Sequence, residues 1–222
     1  DGAGTPLSDT DTVSITVSPV NDAPINTVPG AQTVNEDTAL AFNSTNGNAI
    51  TVSDVDGNLA TTQLSVSNGT LSVTLGSTGA TISAGATGSS TLTLSGTQTQ
   101  INAALATLIY QGSSNFNGSD TLTVVSTDGA GTPLSDTDTV SITVSPVNDD
   151  FSDNDETITV QEDSAATTGS LLDGSSSPDG PLSIVSFSIA GLSGPFTLGS
   201  AYNVTGKGSI TINADGSYSF TP

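Results

Sequence analysis

The 22 residues at positions 128–149, DGAGTPLSDTDTVSITVSPVND, stand letter for letter at positions 1–22 as well. A repeat of that fidelity after 127 residues (128 minus 1) makes a tandem array the frame for everything else. Within it Val140, Ile142 and Val144 alternate with Ser141, Thr143 and Ser145, so one face is apolar and the segment reads as a half-buried strand. Pro146 ends that strand because it has no N–H to give a ladder, and Asn148-Asp149 follows as a polar joint. The repeated unit is therefore a loop, a last strand and a linker.

This frame divides the chain. Residues 1–20 are expected to be the loop (1–8) and last strand (about 10–18) of a preceding repeat, and 21–24 a linker. Residues 25–147 read as one complete repeat, 148–150 as a second linker, and 151–222 as a different domain that lacks at least its last strand. In the complete repeat, alternation places strands at Leu64 and Val66, at Leu71, Val73 and Leu75, at Leu92 and Leu94, and at Leu122 and Val124. Asn68-Gly69 predicts a two-residue hairpin turn between the first two. The Gly-rich residues 76–90 read as an exposed loop. Residues 98–108 differ: Ile101, Leu105 and Leu108 are spaced i, i+4, i+7, and Thr97 or Thr99 can cap, which predicts one short helix. Near the end, Ile210 and Ile212 pair with Tyr218 and Phe220 around Asn213 to Gly216, a hairpin. The expected class is all-β: tandem immunoglobulin-like β-sandwich domains with one short helix in the middle domain.

Composition excludes several functions. The chain has 22 acidic residues against one Lys and no Arg, a formal charge of −21, which excludes ordinary phosphate-binding nucleic-acid recognition. No apolar run approaches the ~20 residues of a spanning helix, so no membrane insertion is expected. With no His and no Cys, imidazole and thiolate ligands are absent. Carboxylates, amides and carbonyls remain, and that donor set suits a hard cation, chiefly Ca2+. No nucleophile elbow, Walker loop or zinc motif is present, and no Arg or His could orient a substrate, so an enzyme is not expected.

Specific motifs carry a resemblance. Asp128 followed by Gly-Ala-Gly-Thr-Pro133, then Val-Ser-Ile-Thr-Val and Asn148-Asp149, resembles the end of a cadherin repeat. Asp54-Val-Asp56-Gly-Asn58 resembles the cadherin Asp-x-Asp-x-Gly segment, and Glu36 takes the place of the first-strand Glu. The whole looks most like cadherin-like repeats of large bacterial adhesins exported by type I secretion (RTX adhesins). Residues 208–222 are similar to the VCBS repeats of the same proteins. Two departures stand out. Asn115 to Asp120 replaces the Leu-Asp-Arg-Glu segment, and the linker is one residue shorter.

The resemblance implies one or two calcium ions at each joint. Asn21, Asp22, Asp54, Asp56 and Asp128 would serve the first. Glu36, Asp120, Asn148, Asp149 and Asp150 would serve the second, with Asp173 and Asp179 from the next domain. The competing reading of Asp54, Asp56 and Asp128-Gly129 is a set of Asp-Gly turns that need no ion. Asp136 and Asp138 read as a solvated edge against aggregation, and Tyr110, Phe116 and Phe187 as core. The expected function is then a calcium-stiffened extender of a secreted bacterial cell-surface adhesin, serving cell adhesion and biofilm formation. The expected partners are neighbouring repeats of the same chain. Two alternatives stand beside it: a self-assembling extracellular fibre in which identical chains donate strands, and a calcium-dependent carbohydrate- or protein-binding module.

Overall fold

The computed structural model describes residue 4 and residues 8–222. The chain forms two compact units that divide between Ser145 and Pro146. It is mostly β-sheet with one short helix.

In chain order the first unit contains β1 (Ile25–Thr27), β2 (Gln32–Asn35), β3 (Ala39–Ala41), β4 (Thr51–Ser53), β5 (Leu59–Ser65) and β6 (Gly69–Ser72). Then come β7 (Thr81–Gly85), β8 (Thr91–Ser95), α1 (Gln98–Leu105), β9 (Ile109–Gly112), β10 (Gly118–Asp128) and β11 (Ser135–Ser145). β10 and β11 are the spine. They run antiparallel from Gly118 opposite Val144 to Thr127 opposite Ser135. Strict alternation sends Leu122 and Val124 of one and Val140, Ile142 and Val144 of the other inward. Around them the larger sheet has the order β2-β11-β10-β5-β8-β7, and only β2 against β11 is parallel. A three-stranded sheet, β3-β9-β6, and the pair β1-β4 complete the unit. Side chains from these sheets meet in one core, with Leu64, Leu92, Leu94, Leu71, Tyr110 and Phe42 fully buried.

The helix forms where its spacing predicts. Thr97 accepts from the Gln100 backbone N–H, and the Gln100 side chain accepts from the Thr97 N–H at 2.9 Å, a reciprocal capping box. Ile101, Ala104 and Leu105 face the core. The turn closes at Ala106, so Leu108 is buried beyond the helix rather than on it.

Two local expectations are corrected. Residues 10–18, expected as the last strand of a preceding repeat, pair with no strand among the described residues, and Val13, Ile15 and Val17 are 85%, 82% and 86% exposed. The loop expected ahead of them, over 1–8, falls outside the described residues except for Gly4 and Ser8. Residues 76–90 are not all loop; they contain β7, which pairs with β8. Asn68-Gly69 does not close a hairpin. β5 pairs with β8 and β10, while β6 pairs with β9, so the turn carries the chain from one sheet to another. Gly69 is required there for close approach, since a Cβ would meet the Gln111 carbonyl oxygen and the Tyr110 ring.

The second unit contains β12 (Thr167–Ser170), β13 (Ala201–Val204), β14 (Gly208–Ile212) and β15 (Ser217–Thr221), in the order β12-β15-β14-β13. The expected hairpin is β14–β15, with Ile210 opposite Phe220 and Ile212 opposite Tyr218. Its turn uses a bond from Asn213 N–H to the Ser217 carbonyl at 2.9 Å and a left-handed Gly216 at φ 82°. Phe187, Phe196 and Tyr202 pack edge to face or tilted, with centroids 5.0–5.9 Å apart. The echo between Val34-Asn-Glu-Asp and Val160-Gln-Glu-Asp is a shared turn: Asp37 and Asp163 take φ 55° and 58°. Among the described residues no helix is long and apolar enough to cross a membrane.

Candidate metal centre

Two strand registers assemble the first expected ligand set at one pole of the first unit. Antiparallel pairing of β1 with β4 sets Ile25 opposite Ser53, so Asn21 and Asp22, just before β1, reach the loop that leaves β4. Pairing of β10 with β5 sets Asp128 opposite Leu59, after a register shift between Thr127 and Asp128. The loop 54–58 thus lies between the chain entering β1 and the end of β10.

Side chains from these three segments touch. Asn21 Nδ2 donates to Asp128 Oδ2 at 2.8 Å. The Asp22 N–H donates to Asp56 Oδ2 at 2.8 Å, and the Asp56 N–H to Asp54 Oδ1 at 2.9 Å. Asn58 Nδ2 donates to Asn21 Oδ1 at 2.8 Å, and the Gly129 N–H to the Asn58 carbonyl at 2.8 Å. Asp54 and Asp128 are 8% and 2% exposed. Helix α1 holds the set from beneath: Gln98 Oε1 accepts from the Asp54 N–H at 2.9 Å, and Asn102 bonds both N–H and C=O of Val52, each at 2.8 Å.

The electrostatics of this pole are one-sided. The only Lys or Arg of the chain is Lys207, in the second unit, so residues 1–145 contain no cationic side chain to balance these carboxylates. Asp128 is held below its ordinary 3.8 first by the Asn21 amide, with burial opposing and the Ala130 N–H assisting at 3.1 Å. A hard cation fits this donor set, which is all carboxylate, amide and carbonyl oxygen. Rotating the Asn21 amide by half a turn would present its oxygen, instead of its nitrogen, to Asp128.

The same geometry contains the ion-free turn. The Gly57 N–H donates to the Asp54 carbonyl at 3.2 Å, with Gly57 at φ 68°, and Asp54 Oδ1 caps the turn through Asp56. Asn58, Gln98 and Asn102 were outside the expected set. Only Asn58 had a local signal, as the residue closing the Asp-x-Asp-x-Gly segment.

The second expected set divides between the units. In the first unit Glu36 is 3% exposed, with Asn117 Nδ2 donating to its Oε2 at 3.4 Å. Asp120, 4% exposed, is engaged by the fold itself. Its Oδ1 accepts from the N–H groups of Ser67 (3.0 Å) and Thr121 (2.8 Å), and its Oδ2 from the Asn68 N–H (2.9 Å) and the Tyr110 hydroxyl (3.0 Å). Those four donors satisfy the carboxylate where it is buried. Burial first, then the Asp120 charge, push the Tyr110 hydroxyl far above its ordinary range. In the second unit Asn148, Asp150 and Asp173 are exposed, and the Asp149 N–H donates to Asp179 Oδ2 at 2.8 Å.

Asp136 is not a solvated edge charge. Its Oδ2 accepts from the Asn26 N–H at 2.7 Å and its carbonyl from Asn26 Nδ2 at 3.1 Å, which ties β1 to β11.

Residues 42–137 match the family model described as Protein GAMETE EXPRESSED 2 domain, from a eukaryotic gamete protein family. A search of curated proteins gives no match. The family match overturns the resemblance drawn from short motifs. The stretch that reads like a cadherin-like repeat of a bacterial RTX adhesin matches instead a model for a domain of another kind, and the VCBS assignment and the adhesin-extender and biofilm functions are withdrawn with it. The physical reason lies in the motifs: Asp54-Val-Asp56-Gly-Asn58 and Glu36-Asp37 are here hydrogen-bonded turns, and turn chemistry recurs on many β folds.

Proposed function

We propose that residues 25–145 are a non-catalytic, immunoglobulin-like β-sandwich module, working outside the cell, that binds calcium at the pole formed by Asn21, Asp22, Asp54, Asp56 and Asp128. The family match adds a setting in which to look for it, a gamete-expressed protein. The observation that carries the proposal is convergence. Three segments far apart in sequence are tied together at this pole, Asn21 to Asp128 and Asn58 through side chains and Asp22 to Asp56 through its N–H, with Asp54 and Asp128 buried, in a unit without a cationic side chain.

Bound there, calcium would supply charge neutralisation, and residues 19–22 would be tied to the loops at 54–58 and 128–134. Asp54 and Asp128 would be the principal ligands, with Asp56, Asp22 and Asn21 completing the set. The test is calorimetric titration of the full chain with Ca2+ and, in parallel, Mg2+. Calcium binding is expected together with a rise in Tm; a hundredfold excess over Kd corresponds to about 2.7 kcal/mol. Asp128→Asn and Asp54→Asn should each abolish both effects, whereas Asp11→Asn, on the exposed segment, should leave them intact. Absence of calcium binding, or equal loss in the Asp11→Asn control, would refute the site.

A further inference from the structure

Three Asn-Gly pairs occur in the chain, at 46–47, 68–69 and 117–118. This dipeptide can modify itself. Glycine has no Cβ to shield its backbone nitrogen, so that nitrogen can reach the side-chain carbonyl carbon of the preceding asparagine. The fold decides whether it does: the backbone must be free to bring the two groups together, and the amide must be open to water.

The three pairs differ in both respects. Asn68-Gly69 is clamped. The Asn68 N–H donates to Asp120 Oδ2 at 2.9 Å, and the Asn68 carbonyl accepts from the Ser113 N–H at 2.9 Å. Gly69 is buried against the Gln111 carbonyl oxygen and the Tyr110 ring, so this peptide has no room to turn. Asn46-Gly47 is exposed but tied. The Asn46 N–H donates to Asn43 Oδ1 at 2.9 Å, its Nδ2 to the Ala41 carbonyl at 3.0 Å, and the Gly47 N–H to the Ser44 carbonyl at 3.2 Å. Asn117-Gly118 is the open pair. Both residues are exposed, at the end of the β10–β11 ladder where Gly118 lies opposite Val144, and ladders fray from their ends. Among the described residues the Asn117 amide makes one hydrogen bond, to Glu36 Oε2, at 3.4 Å.

We propose that Asn117 is a self-modification site, converting spontaneously to aspartate or isoaspartate beside the buried Glu36 carboxylate. The Gly118 nitrogen bonds to the Asn117 side-chain carbonyl carbon. The bond from that carbon to Nδ2 breaks, and ammonia leaves with the proton of the Gly118 N–H. Water then opens the cyclic imide. Opening at the side-chain carbonyl gives aspartate; opening at the main-chain carbonyl gives isoaspartate. One water is consumed and one ammonia released, with no change of oxidation state. The consequence lies at Glu36. Its amide donor becomes a second carboxylate, and because Glu36 is only 3% exposed, water screens the new like charge poorly.

Peptide mapping by mass spectrometry, on the full chain held in mildly alkaline buffer, measures each conversion. In the folded chain Asn117 should convert fastest, Asn46 next and Asn68 slowest, with at least about a tenfold gap between Asn117 and Asn68. In urea the three rates should converge, since the fold alone separates them. Asn117→Asp, which imitates one product, should lower Tm by more than Asn117→Ala, which removes only the amide. Any other order in the folded chain, or conversion at Asn117 in urea alone, would overturn the site. Equal Tm for Asn117→Asp and Asn117→Ala would overturn its effect on Glu36.

Discussion

Asp120 offers the sharpest test of how this fold is held. Its carboxylate sits beneath the turn at 67–68, beside the fully buried Tyr110, and accepts four hydrogen bonds of 2.8–3.0 Å. Asp120→Ala strands the Tyr110 hydroxyl in the core, at about 1–3 kcal/mol. The N–H groups of Ser67 and Asn68 lose their acceptors too, but Ser67 is exposed and Asn68 half-buried, so water recovers part of that loss and about 1 kcal/mol remains for the pair. The sum is a destabilisation of about 3 kcal/mol, or roughly 10 °C in Tm for a unit of this size. Thermal and urea unfolding followed by circular dichroism would measure it. The mechanism adds a sign that mere packing loss would not. Tyr110→Phe should cost about 1–2 kcal/mol in the native background. In the Asp120→Ala background it should be neutral or stabilising, because it then removes an orphaned donor. Equal cost of Tyr110→Phe in both backgrounds, or a loss under about 1 kcal/mol for Asp120→Ala, would refute the reasoning. Chelator should leave the Asp120→Ala effect unchanged, since no ion is needed to explain this carboxylate.

Other outcomes follow from named contacts. Asn102→Ala removes both bonds to Val52 and should destabilise the first unit by about 2–3 kcal/mol in urea unfolding, while weakening calcium binding through the β4 loop that carries Asp54. Gly69→Ala drives a Cβ into the Gln111 backbone and should destabilise the first unit well beyond the ~0.5 kcal/mol of an exposed change, read by urea unfolding. Asp128 has a folded-state pKa below its ordinary 3.8, so its ionised form stabilises the fold above that value. That contribution should disappear as pH falls from 3.8 through the lower folded value, and Asp128→Asn should flatten this part of a Tm-versus-pH curve.

What could be read from the sequence, and what could not, follows from the range of the interactions involved. Alternation placed β8, β10, β11 and the β14–β15 hairpin, and the i, i+4 spacing with Thr97 placed α1, because each pattern is set by the segment's own geometry. The grouping of Asn21, Asp22, Asp54, Asp56 and Asp128 was drawn from a family resemblance that the family match has since overturned. The contacts among these residues have their own cause in the β1–β4 and β10–β5 registers. Gln98, Asn102, and Asn26 with Asp136 gave no local signal: each is a polar side chain whose partner is backbone 44 to 110 residues away. The turn at Asn68-Gly69 misled because its dipeptide favours a hairpin locally, while the burial of Asp120 and Tyr110 sends the chain to a different sheet.

The two copies of SDTDTVSITVS carry this point furthest. With composition, alternation and β-propensity identical, one copy is an interior strand of the larger sheet with three buried side chains and the other is solvated along its whole length. Nothing local differs, so the strand state is conferred by the ladder of β10 and β2 and by the core that receives three side chains. A substitution pair isolates that cause. Ile142→Asp puts a charge into the core and should unfold the first unit outright, whereas Ile15→Asp, the same change in the same eleven letters, should leave the unfolding free energy of the first unit within about 0.5 kcal/mol of its starting value. If Ile15→Asp destabilised the first unit comparably, the exposed state of residues 8–18 would be wrong, and the sequence itself rather than its surroundings would be dictating the strand.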